Sequence, residues 1–599
     1  MERRKFIQDT AGFGLVALPF TKVWQRFRFP FSVMYNRELS GPQKPVFIYN
    51  NWSAYDELSD NVAQTEALAM QELNEIIRLK TSGVEIDYYV MDAFWFDIDG
   101  GYRTWHKQHW PNGPDKWLAV CKENNIIPGM WFSTNLVAMG GKTALAIIPE
   151  WGDSVGTDPN ILCLFDGGYL NHLSATLQIW YNKGVRLFKF DFAYFEAVTS
   201  AMKDKYSPDE IKEKNKVAFM NMLQHFRAKN PDVLITGYNG FGGDMENTYT
   251  AFDKKIDPRW LDTFDTLYCG DPRFSDVPMM NVWRSQDNYS DHQISAYKAY
   301  GMPMRRIDNC AFMIGKTGTC YYRATHCWKG MLILELARGG WVNVYHGNLE
   351  LLNDDDAKWF AKTQSLYREL QQQDKFSTFG AIPGKGMLYG FKAAGKMGEV
   401  FTVINPSQEI ATIILPSDVA KSKLLYADGG YKPLVKGNSL TLGPEQLVVV
   451  GFGGYANEDF DLGTDETIRI PHTISTLNVL FKETGKNTLE SAVHNIPSKN
   501  IRIVLQQFDA NGLPHRSWGG APPDGKKISE FIKIVPTQNG KEVQMHIGND
   551  RVIWSGLSWA VGEIDKKDID RTNALNILCI STEKESMRLR AEIYAVGYE

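Results

Sequence analysis

The sequence predicts an α/β chain, a (β/α)8 TIM barrel followed by two C-terminal antiparallel β-sandwich domains. Three observations predict it. Apolar strand-like runs alternate with longer amphipathic stretches about eight times between residues 45 and 350. Polar and aromatic residues collect where those runs end, which in a barrel is the face that carries chemistry. After residue 375 the texture changes to short alternating strands with Gly, Pro and Asn turns.

The elements follow in chain order. "MERRKFIQDTAGFGLVALPF" pairs Arg3 with Arg4 and continues into a short apolar run, the pattern of a twin-arginine export signal over residues 1–30. The expected location is therefore periplasmic or extracellular. Membrane anchoring enters only if that signal stays uncleaved, because the run is too short and Gly-rich for a span. The barrel is expected over 40–370. "PVFIYNNW" is its first strand, and "NVAQTEALAMQELNEIIRLKTSG" has helical periodicity ending at Gly83. "IDYYVMDAFWF", "IIPGMWFSTN", "GVRLFKFDF", "VLITGYNG", "TLYCGD", "PMMNVWRSQD" and "GGWVNVYHG" read as further strands, with "PDEIKEKNKVAFMNMLQHFRAKN" as one of the helices between them. No G-x-G-x-x-G follows the first strand, which argues against a doubly wound sheet. One β-sandwich is expected over 375–455. "GGYANEDFDLGTDET" reads as a linker, and a second sandwich, a candidate carbohydrate-binding module, over 465–599.

Composition narrows the function classes. A net charge of −5 over 599 residues, with no basic block, gives no sign of nucleic-acid binding. Aromatic residues make up 13% of the chain, which suits stacking on the apolar faces of sugar rings and equally suits large cores. The seven cysteines are scattered, without metal-ligand spacing or a disulfide framework, and no metal or cofactor is expected. His106, His109, His292, His326 and His346 show no ligand pairing and read as surface or core residues. "GKTGTC" lacks the phosphate-loop spacing, and the acidic run "LLNDDDAKWF" reads as the start of a solvated helix. "HRSWGG" and "WSGLSW" put Trp in turn-rich context, for a sugar-binding face or for packing.

The chemistry centres on carboxylates. In "LFKFDF", Lys189 and Asp191 share one face of a buried strand, flanked by Phe188, Phe190 and Phe192. A neighbouring ammonium lowers an aspartate's pKa, so Asp191 is expected to stay ionised, as a carboxylate nucleophile must. In "NVWRSQDNYSD", Arg284 and Asp287 are expected where a strand meets its loop, with Asp287 facing Asp191 across the barrel mouth. Asp276 and Asp291 are its rivals. Two carboxyls about 5 Å apart suit a retaining glycosidase, and a gap of roughly 6.5–9.5 Å suits an inverting one.

These stretches resemble the α-galactosidase-type glycoside hydrolases, families 27 and 36 of clan D. "LFKFDF" resembles their K-x-D strand, and "RSQDN" the Arg-x-x-Asp element of the raffinose-synthase-like branch. "YYVMDAFWFD" and "IIPGMWFS" are similar to the two strand ends that precede the nucleophile. The resemblance implies a secreted retaining hydrolase of terminal α-galactosyl or related residues in an oligosaccharide or polysaccharide. Asp191 would be the nucleophile and Asp287 the acid/base. Lys189 and Asp92 would bond sugar hydroxyls, and Trp52, Trp95 and Trp131 would form apolar walls. Arg284 would bind substrate or orient Asp287, and Tyr238 and Asn239 would complete the strand-end set. Ala93 stands where the family has a second Asp, which puts galactose itself in question and makes Asp97 a candidate replacement. Transglycosylation and sugar binding without turnover are the competing readings.

Overall fold

The computed structural model describes residues 44–54, 62–97, 100–137, 149–241, 256–299, 301–309, 311–315, 326–518, 526–548 and 556–598. The expected export signal, most of "GKTGTC", Cys310 and the start of "WSGLSW" lie outside them.

Nine parallel strands form one curled sheet: β1 (Val46–Asn50), β2 (Tyr88–Met91), β3 (Ile127–Ser133), β4 (Leu187–Asp191), β5 (Leu234–Gly237), β6 (Thr266–Tyr268), β7 (Ile307–Asp308), β8 (Phe312–Ile314) and β9 (Val342–Gly347). Their spatial order is β7-β6-β5-β4-β3-β2-β1-β9-β8. β7 bonds to β6 and β8 bonds to β9, yet both belong to the single stretch 307–314. The sheet therefore begins and ends on the same piece of chain, which is the closure of a (β/α)8 barrel. Val46, Ile48, Val90, Leu187, Leu234, Val342 and Val344 fill its interior.

The helices are α1 (Glu66–Thr81), α2 (Asp115–Glu123), α3 (Tyr169–Asn182), α4 (Pro208–Lys229), α5 (Val282–Ala299), α6 (Trp328–Ala337) and α7 (Asp354–Gln371). Local chemistry sets several ends. Thr65 caps α1 by accepting from Leu68 N, and α1 buries Ala69, Leu73, Ile76 and Leu79 at helical spacing. Ser207 and Glu210 form a capping box ahead of α4, with Pro208 in its first turn. In "LLNDDDAKWF" the cap is Asn353, and the three aspartates occupy the first turn of α7, where the helix dipole favours them.

One segment differs from the sequence reading. "PMMNVWRSQD", expected as a strand, runs into α5, and the strand positions belong to Ile307–Asp308 and Phe312–Ile314. The run is apolar at first, but its continuation through Ile294 and Tyr297 buries nearly every face of a helix. A short apolar stretch does not reveal which period will follow it.

The remaining chain is antiparallel except for one pairing. A six-stranded sheet orders Phe376–Gly380, Tyr389–Ala394, Gly398–Ile404, Leu447–Gly453, Ser422–Asp428 and Gly463–Asp465. A three-stranded sheet covers it around Phe401, Val403, Leu440, Val448 and Phe452. The supposed linker supplies Gly463–Asp465, which pairs parallel to Ser422–Asp428. Beyond it, the strands from Thr473–Thr476 to Arg588–Gly597 form two five-stranded sheets. Among the described residues no helix is long and apolar enough to cross a membrane.

Candidate active site

The C-terminal ends of the barrel strands converge polar side chains. Asn50 ends β1, Asp92 follows β2, and Trp131 lies in β3. Lys189 and Asp191 end β4, Tyr238 and Asn239 follow β5, and Asp271 lies three residues past β6. Asp308 ends β7 and His346 lies near the end of β9.

Lys189 makes its ion pair with Asp92, Nζ to Oδ2 at 2.7 Å, and Asn50 Nδ2 donates to the same oxygen at 2.7 Å. The other Asp92 oxygen accepts from Ala93 N. The ammonium also lies 3.9 Å from the centre of the Tyr238 ring, which stacks on Tyr268. Burying a charge demands such partners, and here the cation is held by a carboxylate and an aromatic face.

Asp191 is 7% exposed and is gripped from three sides. Trp131 Nε1 donates to its Oδ2 at 3.2 Å, and the backbone N–H groups of Phe192 and Asn239 donate to its Oδ1 at 2.9 and 3.1 Å. Phe192 takes φ 52°, a left-handed conformation that costs a bulky residue roughly 1–3 kcal/mol. That turn brings the Phe192 N–H back to the carboxylate it follows. The expectation that Lys189 keeps the Asp191 pKa low is corrected. Burial pushes it up to about 6, with Asp271 and Asp92 adding to the rise and Lys189 and Trp131 opposing it.

Asp271 was not singled out from the sequence. Asn239 joins it to Asp191: the Asn239 backbone N–H bonds Asp191, while its Nδ2 donates to Asp271 Oδ1 at 3.4 Å. Arg273 Nη2 lies 3.8 Å from the other Asp271 oxygen, and the Asp271 side chain is 21% exposed. Asp308 and His346 are buried beneath this layer. Burial pushes Asp308 up to about 7 and His346 down to about 3, so both favour their neutral forms. Asn50, Asp271, Asp308 and His346 share one signal that would have found them: each is the polar residue closing an apolar run.

The other expected site residues are distributed as follows. Trp52 is half-buried after β1 and stacks on Phe94, whose φ of 68° marks a second left-handed turn at this rim. Trp95 is fully buried, donates to Trp131 O at 2.9 Å, and packs among Trp105, Phe132 and Trp180. It thus packs beneath Trp131, which is itself only 1% exposed and meets the site through its Nε1 bond to Asp191. Asp97 pairs with Lys107 at 3.3 Å.

Arg284 and Asp287 sit within α5, contrary to the expected strand–loop junction. Arg284 bridges Asp287 and Asp428 of the following β-domain, both at 2.7 Å, with all three side chains nearly inaccessible. Burial pushes Asp287 up to about 6 against the pull of Arg284 and Arg338. Of the rivals, Asp291 pairs with Arg338 and accepts from the Tyr389 hydroxyl, while Asp276 bonds Arg516 and Ser558 of the last β-domain.

The sequence matches no family model and no curated protein. Among solved structures the chain is similar to the GH36 α-galactosidase AgaA from Geobacillus stearothermophilus in complex with raffinose, at 13% identity and a TM-score of 0.48. An α-galactosidase from Lactobacillus brevis gives 14% and 0.48. Each of these likenesses covers 68% of this chain and 55% of the other, so the chain spans about half the length of these proteins. A GH27 β-L-arabinopyranosidase from Geobacillus stearothermophilus gives 12% and 0.45, over 69% of this chain and 97% of that one.

Proposed function

We propose that this chain is a retaining glycoside hydrolase acting on terminal α-galactosyl or closely related α-glycosidic residues. Asp191 is the nucleophile. It attacks the anomeric carbon as the glycosidic bond breaks, and water later displaces the sugar from it. Asp271 is the favoured acid/base: it protonates the leaving oxygen and then takes the proton of the incoming water. The observation that carries the reading is the Asn239 bridge, which from the end of β5 links the buried carboxylate at the end of β4 to the partly exposed one beyond β6. Asp287, the acid/base suggested by the sequence resemblance, has its carboxylate engaged by Arg284 in a helix braced against the next domain, which favours a structural role.

Lys189 and Asp92 form the floor that meets sugar hydroxyls, with Trp131 and Trp52 beside it. The single Asp92, followed by Ala93, supports a sugar that differs from galactose at one recognised hydroxyl. The substrate is an oligosaccharide or polysaccharide met after twin-arginine export.

The test is a panel of aryl α- and β-glycosides with wild type, Asp191→Asn, Asp271→Asn and Asp287→Asn, with the product anomer followed by NMR. Turnover with retention, falling by roughly 1,000-fold or more in Asp191→Asn, is the expected result. Asp271→Asn should lose most on poor leaving groups. Undiminished turnover in Asp191→Asn would overturn the reading. A larger, leaving-group-dependent loss in Asp287→Asn than in Asp271→Asn would reassign the acid. Added sugar acceptors in the same assay separate hydrolysis from transfer.

A further inference from the structure

Three residues past Asp271 the chain enters a stretch that the last β-domain holds directly. Arg516 Nη1 donates to Phe274 O at 2.7 Å, and its Nη2 lies 3.0 Å from Asp276 Oδ2. Ser558 Oγ donates to the other Asp276 oxygen at 2.7 Å, and Trp559 Nε1 donates to Ser275 O at 2.9 Å. Gln506 Nε2 reaches Asp276 O at 3.4 Å. Four side chains from one sheet and its adjoining loop thus fasten three consecutive residues. A few residues on, Glu445 of the middle β-domain accepts from the backbone N–H groups of Met280 and Asn281, both at 2.7 Å.

This stretch connects β6 to α5 and follows Asp271 immediately, with only Pro272 and Arg273 between. Within the barrel the stretch is tied at Ser275, whose N–H donates to Ser285 O of α5 at 3.1 Å and whose hydroxyl bonds that of Ser285 at 3.0 Å; the last β-domain adds the fastenings at Phe274 and Asp276 on either side. Trp559 is 1% exposed and Ser558 2%, so the Trp559 bond is buried, while the Arg516–Asp276 pair beside it is part-buried, with side chains 10% and 31% exposed. Trp559 belongs to "WSGLSW", one of the two motifs considered for a sugar-binding face. Its indole N–H is committed to the barrel.

We propose that the last β-domain is a positioning device for the active site, with Arg516 and Ser558 holding the Phe274–Asp276 stretch so that Asp271 stays in register with Asp191. The inference rests on the reading of Asp271 as acid/base. Arg516 touches no reacting atom; it acts through the loop.

The test uses the full chain with Arg516→Ala, Arg516→Lys and Ser558→Ala, on two substrates of the sugar the panel identifies, one with a good and one with a poor leaving group. A displaced acid matters only when the leaving oxygen needs a proton. Arg516→Ala should therefore lower kcat at least ~10-fold on the poor leaving group and less than ~3-fold on the good one, with KM little changed. Arg516→Lys should recover part of the loss, and Ser558→Ala should give a smaller loss of the same kind. In parallel, hydrogen exchange of the 270–283 peptides should quicken in Arg516→Ala while peptides of β2 to β4 stay as in wild type. Equal losses on both leaving groups, or unchanged kcat with unchanged exchange, would overturn the proposal. If wild type turns over no glycoside, exchange still tests the fastening: faster exchange at 270–283 supports it, and the failure then belongs to the functional reading.

Discussion

Burial raises the proton affinity of Asp191, and the Trp131 N–H is one of the few groups that oppose the rise. A nucleophile works ionised, so kcat/KM should climb as pH passes through about 6. Trp131→Phe removes the opposing hydrogen bond and keeps most of the aromatic bulk. Its acid limb should move to higher pH while the activity plateau falls, as a pH profile of kcat/KM would record. An unmoved limb would mean that Asp191 does not govern it. The left-handed Phe192 belongs to the same account: the turn aims a backbone donor at the carboxylate, at a conformational cost that the surrounding strand ends must bear.

Helix α5 is unusual in burying Arg284, Ser285, Gln286, Asp287, Asn288 and Asp291 in succession. The ion pairs to Asp428 and Arg338 and the Tyr389 hydroxyl make that burial tolerable. Arg284→Met would strand two buried carboxylates. It should cost about 3–5 kcal/mol in urea unfolding, and adding Asp287→Asn and Asp428→Asn should return most of that. Failure of the triple variant to recover would show that Arg284 contributes by packing.

The same helix shows where sequence reading stops. Lys189 and Asp191 are legible because period-two spacing in a short apolar run fixes their common face. Arg284 and Asp287 carry a recognisable motif, but their surroundings come from residues 51 and 144 positions away, Arg338 and Asp428. No local pattern announces Asp428. Asp271 and Asp308 are legible in principle as polar strand ends. Their strands span only three and two residues, too short for an alternating pattern to stand out from the sequence.

Across the molecule, several buried carboxyls keep their protons well above the range of an exposed acid. Burial and the nearby Glu350 push Glu72 up to about 9, and burial pushes Glu335 to about 8 and Asp308 to about 7. A folded pKa above the unfolded one gives stability that is complete below about pH 4 and lost as pH rises through the folded value. Asp257 and Glu213, lowered chiefly by Arg259, act in the opposite sense and lose their contribution as pH falls below about 4. The melting temperature should therefore peak in mildly acid solution and decline toward pH 9. Glu72→Gln, which mimics the protonated form, should flatten the alkaline part of that decline in thermal scans.

The segment between the two β-domains has a mechanical consequence. Trp359 and Lys362 of α7 donate to Leu462 O and Asp461 O at 2.7 and 2.6 Å, and Leu462 N donates to Leu425 O at 2.7 Å. With Gly463–Asp465 zipped onto a sheet edge as well, a stretch rich in Gly and Asp offers no pivot. Barrel and β-domains should then tumble and scatter X-rays in solution as one stiff particle, and a nick by protease near residue 460 should leave the two fragments still joined.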